Sequence, residues 1–236
     1  MPDKTDTAKL TILALDTCTE SCSVALTHNG QVYAEQADAP REHSQRLLPM
    51  VQNVLSAANI SLKDVALIAY GRGPGSFTGI RICTSMTQGL ALGQDLPVVG
   101  ISTLQAMAQE AMDKHGSTQV VAAIDARMGE VYWGEFKLVE GIATLVGNEQ
   151  VCAPEDVSRA LDYQQTVTAC GTGFDTYPAL VIDNMRLLSD VKFPQAEAML
   201  VLASHAHANG ESTDVEGLTP VYLRDTVTWK KLPGRE

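Results

Sequence analysis

The chain is short of positive charge, of aromatic residues and of long apolar runs, and its few cysteines show no paired spacing. No apolar stretch approaches the roughly 20 residues that cross a bilayer, so a helical membrane protein is excluded. Cys18, Cys22, Cys83, Cys152 and Cys170 are odd in number and contain no CxxC, which argues against a disulfide framework and against a zinc site. They read as buried thiols. Lys and Arg total 17 against 28 Asp and Glu, a net charge of −11 that would repel a polyphosphate backbone. Affinity for nucleic acid comes largely from cationic side chains displacing counterions, so unaided RNA binding is not expected. The opening MPDKTDTAKL is polar and TILAL runs directly into Asp16, leaving no secretory h-region; a cytoplasmic location is expected. Arg224, Lys230, Lys231 and Arg235 make one local basic patch, read as a solvated terminus.

What is present is a periodic pattern in 236 residues, enough for one large domain or two lobes. KLTILALDT, SCSVALTHNG and QVYAEQADA read as three antiparallel strands, with Asn29-Gly30 suited to a type I′ hairpin. Leu47, Leu48, Val51, Val54, Leu55 and Ala58 then line one face of a helix that contains Pro49, which must kink it or begin its regular part. DVALIAYG and LPVVGIS read as buried strands. SFTGIRICTSMTQGLALG and TLQAMAQEAMDKHG read as helices, the latter ending at Gly116. VVAAIDARMGEVYWGEFKL repeats the order of TILALDTCTESCSVALTH, so that Asp125 matches Asp16. A short strand TVTACGTG, a helix around DTYPALVID and a longer helix PQAEAMLVLASHAHANG follow. The expected division is a first lobe over residues 1–107 and a degenerate second lobe over 108–236. This pattern fits the tandem ribonuclease H-like architecture of acetate kinases, sugar kinases and actin, and equally an ordinary doubly wound α/β domain.

The stretch GRGPGSFTGIRI invites a phosphate-cradle reading, but it lacks the Lys of a P-loop. Gly73, Gly75 and Gly79 give GxGxxxG rather than GxGxxG, and no carboxylate closes the next strand as a dinucleotide site requires. Gly75, Gly79 and Cys83 fall four apart and leave a helix face of small residues, suited either to another helix or to the protein's own sheet. Catalytic candidates are sparse. Glu42, His43 and Ser44 are sequence neighbours that do not make a triad on a helix, and His205 and His207 cannot share a metal-binding face. Asp16 and Asp125 are placed to hold Mg²⁺ in a kinase-type cleft, but DARMGE lacks the glycine-threonine character that wraps a phosphate.

Taken together, ILALDTCTESCSVAL, REHSQRLLPMV, GRGPGSFTGIRI and the ending PVYLRDTVTWKKLPGRE resemble the TsaB (YeaZ) family over the whole chain. The resemblance implies two actin-like ATPase (ASKHA) lobes in tandem. It also implies a part in making threonylcarbamoyladenosine on tRNAs that read ANN codons. The catalytic paralogue TsaD and the ATPase TsaE would be the partners, with TsaC supplying threonylcarbamoyl-adenylate. In TsaD an HxxxH motif binds metal; here Thr103 and Met107 stand at those positions, and neither replaces an imidazole. The implied protein is therefore a non-catalytic partner with no metal or cofactor of its own. It would pair with TsaD, or with a second copy when alone, and would reach tRNA only through the complex. The family's interface maps onto Leu47, Leu48, Val51 and Leu55 of the first helix and onto Gly75, Gly79, Ile80 and Cys83 of the second. Many members have Gly where Cys83 stands, which bears on how tightly that face can pack. Two rival readings are an active phosphotransferase using Asp16 and Asp125, and a peptidase acting through Ser44 or His43.

Overall fold

A computed structural model describes residues 10–161 and 166–224. Its first sheet opens with β1 (Ile12–Asp16), β2 (Ser21–His28) and β3 (Gln31–Asp38), paired antiparallel in sequence order. The β2–β3 turn has φ of 50° at Asn29 and 79° at Gly30, the two positive values that a type I′ turn needs. Helix α1 (His43–Ala57) follows, then β4 (Leu67–Gly73), α2 (Phe77–Leu92), β5 (Val98–Ser102) and α3 (Thr103–His115). Pro49 lies inside α1, and the helix already begins at His43. Ser76 and Ser102 cap α2 and α3 with their side-chain oxygens, satisfying amides that a helix start leaves unpaired. Gly116 ends α3 in the left-handed conformation expected of a C-terminal glycine.

The second sheet consists of β6 (Gln119–Arg127), β7 (Glu130–Val139), β8 (Ile142–Cys152), β9 (Val167–Cys170) and β10 (Met185–Leu188). Helices α4 (Pro154–Ala160) and α5 (Thr172–Thr176) flank β9, and α6 (Ala196–Ala208) closes the helical part of the chain. The two sheets run β3-β2-β1-β4-β5 and β8-β7-β6-β9-β10, so each strand of one has a counterpart in the other, with the same parallel and antiparallel neighbours. This is the tandem ribonuclease H-like arrangement; the doubly wound alternative, which lacks such duplication, falls away.

Packing ties the halves together. Leu47, Val51, Val54 and Cys83 of α1 and α2 cover one face of the first sheet. The other face is covered by Met199, Leu202 and Ala203 of α6, from the far end of the chain. Leu104, Met107 and Ala108 of α3 pack instead on the second sheet against Val120 and Phe136. A cut between residues 107 and 108 therefore falls inside a continuous helix, and it separates α6 from the sheet that it covers. Of the basic patch, only Arg224 lies among the described residues, and it is not solvated. Arg224 is largely buried and donates to Glu130 Oε2 and to the carbonyls of Ala126 and Arg127, while Lys230, Lys231 and Arg235 lie outside the described residues.

Candidate functional site: an aspartate pair and a helical groove

Asp16 ends β1 and Asp125 stands near the end of β6, the equivalent places that sequence duplication assigned to them. Their surroundings close both. Asp16 is 1% exposed; its Oδ1 accepts from the Cys18 amide at 2.9 Å and its Oδ2 is buried without a partner. Burial pushes its carboxyl up to about 7, against the pull of the Cys18 hydrogen bonds. The Cα of Gly71 lies so close that any side chain there would collide with Asp16 Oδ2. Asp125 is satisfied by the chain itself: Oδ1 accepts from the Arg127 amide at 2.8 Å and from the Tyr177 hydroxyl at 2.9 Å, and Arg127 Nη1 stands 3.1 Å from Oδ2. The same guanidinium reaches Glu20 on the β1–β2 connection, bridging the two turns where a nucleotide would enter. These residues do not fit Mg²⁺ or a phosphate.

The glycine loop is filled in the same way. The Ser76 amide donates to the Cys18 carbonyl at 2.7 Å, the Gly79 amide to Ser76 Oγ, and the Ile80 amide to the Ser76 carbonyl at 2.8 Å. Cβ atoms on Gly75 and Gly79 would run into the carbonyls of Cys18 and Thr17, and the Thr17 hydroxyl donates to the Gly79 carbonyl at 2.7 Å. The small face of α2 is thus spent on the protein's own β1–β2 turn, the second of the two uses open to it. The amides of Ser76, Gly79 and Ile80 are all engaged within the chain.

The other catalytic candidates are equally unpaired with chemistry. His43 is buried, and its Nε2 donates to the Thr19 carbonyl at 2.8 Å, so it does not serve Ser44 as a base. Thr103 is fully buried beside Cys18, and Met107 lies in the interior between α3 and the second sheet. Among the described residues no group of three or more His, Cys, Asp or Glu is placed to hold a metal ion.

Between α1 and α2 the surface is different. Leu48, Phe77, Ile82, Met86 and Leu90 line an open, apolar groove of about 730 Å³, interrupted by Ser44, Thr78, Ser85 and Gly89, with Arg81 at one end. Phe77 is 56% exposed and Leu48 40%. The Arg81 guanidinium stacks 3.5 Å from the Phe77 ring centroid, and the Tyr222 ring lies 5.5 Å away on the C-terminal segment. Of the expected interface residues, only Leu48 contributes an exposed side chain. Leu47, Val51, Leu55, Gly79, Ile80 and Cys83 are buried within the first lobe, and Gly75 is half-buried against Cys18. The strongest apolar stripe of a helix faces its own sheet, so reading that stripe as the interface selected the inner face. Thr78, Ile82, Ser85, Met86 and Gly89 recur at helical spacing and form a second stripe on α2, which was the sequence signal for the outer face.

Two tandem lobes with the same strand order define an actin-like ATPase fold, and in it Asp16 is buried and Asp125 is paired within the chain. The family model described as "TsaD: tRNA N6-adenosine threonylcarbamoyltransferase" matches residues 30–231. The tRNA threonylcarbamoyladenosine biosynthesis protein TsaB of Escherichia coli K12 is 51% identical, over 95% of this chain and 99% of that protein. TsaB of Haemophilus influenzae is 43% identical, over 96% of this chain and 99% of that protein. The solved structure of YeaZ from Pseudomonas aeruginosa superimposes with a TM-score of 0.85 at 43% identity, covering 91% of this chain and 100% of that one. The chain belongs to the TsaB family of tRNA threonylcarbamoyladenosine biosynthesis proteins.

Proposed function

We propose that this protein works in tRNA threonylcarbamoyladenosine synthesis as a non-catalytic subunit, docking the threonylcarbamoyltransferase TsaD through the groove between α1 and α2. The supporting observation is the contrast between that exposed apolar groove and the two aspartates, Asp16 buried and Asp125 paired with Arg127 and Tyr177. Exposed contiguous apolar surface marks a binding site, whereas a carboxylate with no path to substrate does no chemistry. Leu48, Phe77, Ile82 and Met86 make the contact. Leu47, Val51, Leu55, Gly75, Gly79, Ile80 and Cys83 hold the two helices in position from beneath. TsaE joins the pair as a third subunit, a second copy of this chain occupies the groove when TsaD is absent, and tRNA is reached through the complex. The setting is the cytoplasm. The experiment is to measure threonylcarbamoyladenosine in tRNA from cells that depend on this chain. Ile82→Asp should deplete the nucleoside while the protein accumulates normally, and Asp125→Asn should leave it near wild type. The opposite pattern would favour the phosphotransferase reading.

A further inference from the structure

Residues 218–224 run from the first lobe to the second and pass one end of the α1–α2 groove on the way. Leu218 is buried in the first core. The Thr219 amide donates to Tyr70 Oη at 3.0 Å and the Val221 amide to the Arg72 carbonyl at 2.7 Å, which fastens the segment to β4. Gly73 leaves room for it, since a Cβ there would stand 2.7 Å from the Val221 carbonyl oxygen. Next comes Tyr222, its ring 5.5 Å from that of Phe77. Arg224 then reaches the second lobe. Its Nε donates to Glu130 Oε2 at 2.9 Å, its Nη1 to the Ala126 carbonyl at 2.8 Å and its Nη2 to the Arg127 carbonyl at 3.2 Å. Three acceptors from one turn match the planar fork of a guanidinium, which a single ammonium does not span. The turn itself has positive φ at three successive residues, 63° at Arg127, 60° at Met128 and 81° at Gly129. Arg and Met enter that region only at a cost, and Arg224 braces the turn that holds them there.

At the other end of this chain of contacts stands Phe77, the first residue of α2 and 56% exposed. The Arg81 guanidinium stacks on its ring one helical turn further on, and Tyr222 packs against it from the C-terminal segment. A freely rotating side chain loses that freedom on docking and so weakens binding, whereas one already held by its neighbours loses less. Phe77 is held by a residue whose own position depends on the second lobe. We propose that Arg224 is a positioning residue for docking: anchored on the β6–β7 turn, it keeps Tyr222 against Phe77 and so presets the end of the groove without touching the partner. This rests on the groove being the docking site for TsaD.

Titration calorimetry of the whole chain with TsaD, together with the nuclear Overhauser contact between the Phe77 and Tyr222 rings in the free chain, tests it. Arg224→Ala should lose the ring contact and weaken TsaD binding about three- to tenfold, with an unchanged far-ultraviolet circular dichroism spectrum. Tyr222→Ala should weaken binding equally, and the double variant no further, because both act through the same ring. Tyr222→Phe, which keeps the ring, should bind as wild type does. The proposal is overturned if folded Arg224→Ala keeps the ring contact or binds TsaD as wild type does. Additive losses in the double variant would overturn it by placing Arg224 on the partner itself, and so would a Tyr222→Phe variant as weak as Tyr222→Ala. Leu48→Asp in the same assay separates the two readings. If it abolishes binding while Arg224→Ala does not weaken it, only the positioning role fails; if Leu48→Asp binds as wild type does, the groove reading fails and this role with it.

Discussion

The two lobes share a strand order but not a covering. On the first sheet's outer face lie two long helices, α1 of 15 residues and α2 of 16, with an apolar groove between them. The corresponding face of the second sheet carries α4 of 7 residues and α5 of 5, with Leu180 and Phe174 filling in beneath. Duplication explains the sheets. The helices differ: a short helix covers its own sheet and little more, whereas two long ones bury one stripe each and leave a second, on which the proposed docking groove lies. The turns tell the same story from the inside. Asp16 is sealed by burial and Asp125 by Arg127 and Tyr177, two separate ways of closing the same place in a duplicated fold.

Glycines in the first turns of α2 and α5 give one expected difference between lobes. Gly79 backs directly onto the Thr17 carbonyl, while a Cβ on Gly173 would stand 3.0 Å from the Ala123 carbonyl, a contact that a small shift relieves. Gly79→Ala should cost about 3 kcal/mol and Gly173→Ala about 1 kcal/mol in urea unfolding, within the range for overpacking a close contact. Equal costs would mean that α2 is no more tightly seated than α5.

A pH-dependent effect separates the buried aspartate from its counterpart. The folded state holds the Asp16 carboxyl at about 7, above its ordinary 3.8, and so prefers it protonated. The resulting contribution to stability is full below the unfolded value and is lost as pH rises from about 4 to 7, with a slope of at most about 1.4 kcal/mol per pH unit. Asp16→Asn should remove that decline and be more stable than wild type at neutral pH. Asp125→Asn removes one partner of a solvent-facing ion pair and should cost under about 1 kcal/mol. Urea midpoints followed between pH 4 and 8 make the measurement; an unchanged decline in Asp16→Asn would assign it to other groups.

How much of this was readable in the chain follows from the same contrast. The first lobe was legible nearly throughout, because its strands alternate or run apolar and its helices have strong buried stripes, Ser caps and a terminal Gly116. In the second lobe β8, β10 and α4 left no comparable signal. Strand β8 is an edge strand whose later half is mostly exposed, β10 has four residues, and α4 is barely two turns long. The helix expected around DTYPALVID is the short α5 followed by a single 3₁₀ turn at Pro178–Leu180, since Pro178 stops regular helix there. The aspartates were found by repeat matching, but their surroundings were not, because Tyr177 and Gly71 reach them only through tertiary contacts. Of the residues that the family resemblance carried over as the interface, all but Leu48 lie beneath the groove, because sequence matching does not tell which face of a helix its own sheet covers.

Leu47 and Leu48 are neighbours in sequence on opposite faces of α1, one 0% and the other 40% exposed. Sedimentation velocity of the chain mixed with TsaD, comparing Leu48→Asp with Leu47→Ala, tests the central claim most directly. The account predicts that Leu48→Asp keeps wild-type stability within about 0.5 kcal/mol and loses the heterodimer. It predicts that Leu47→Ala loses about 3 kcal/mol of stability yet still forms the heterodimer while folded. A folded Leu48→Asp variant that sediments with TsaD as wild type does would contradict the claim that the outer groove is the docking surface.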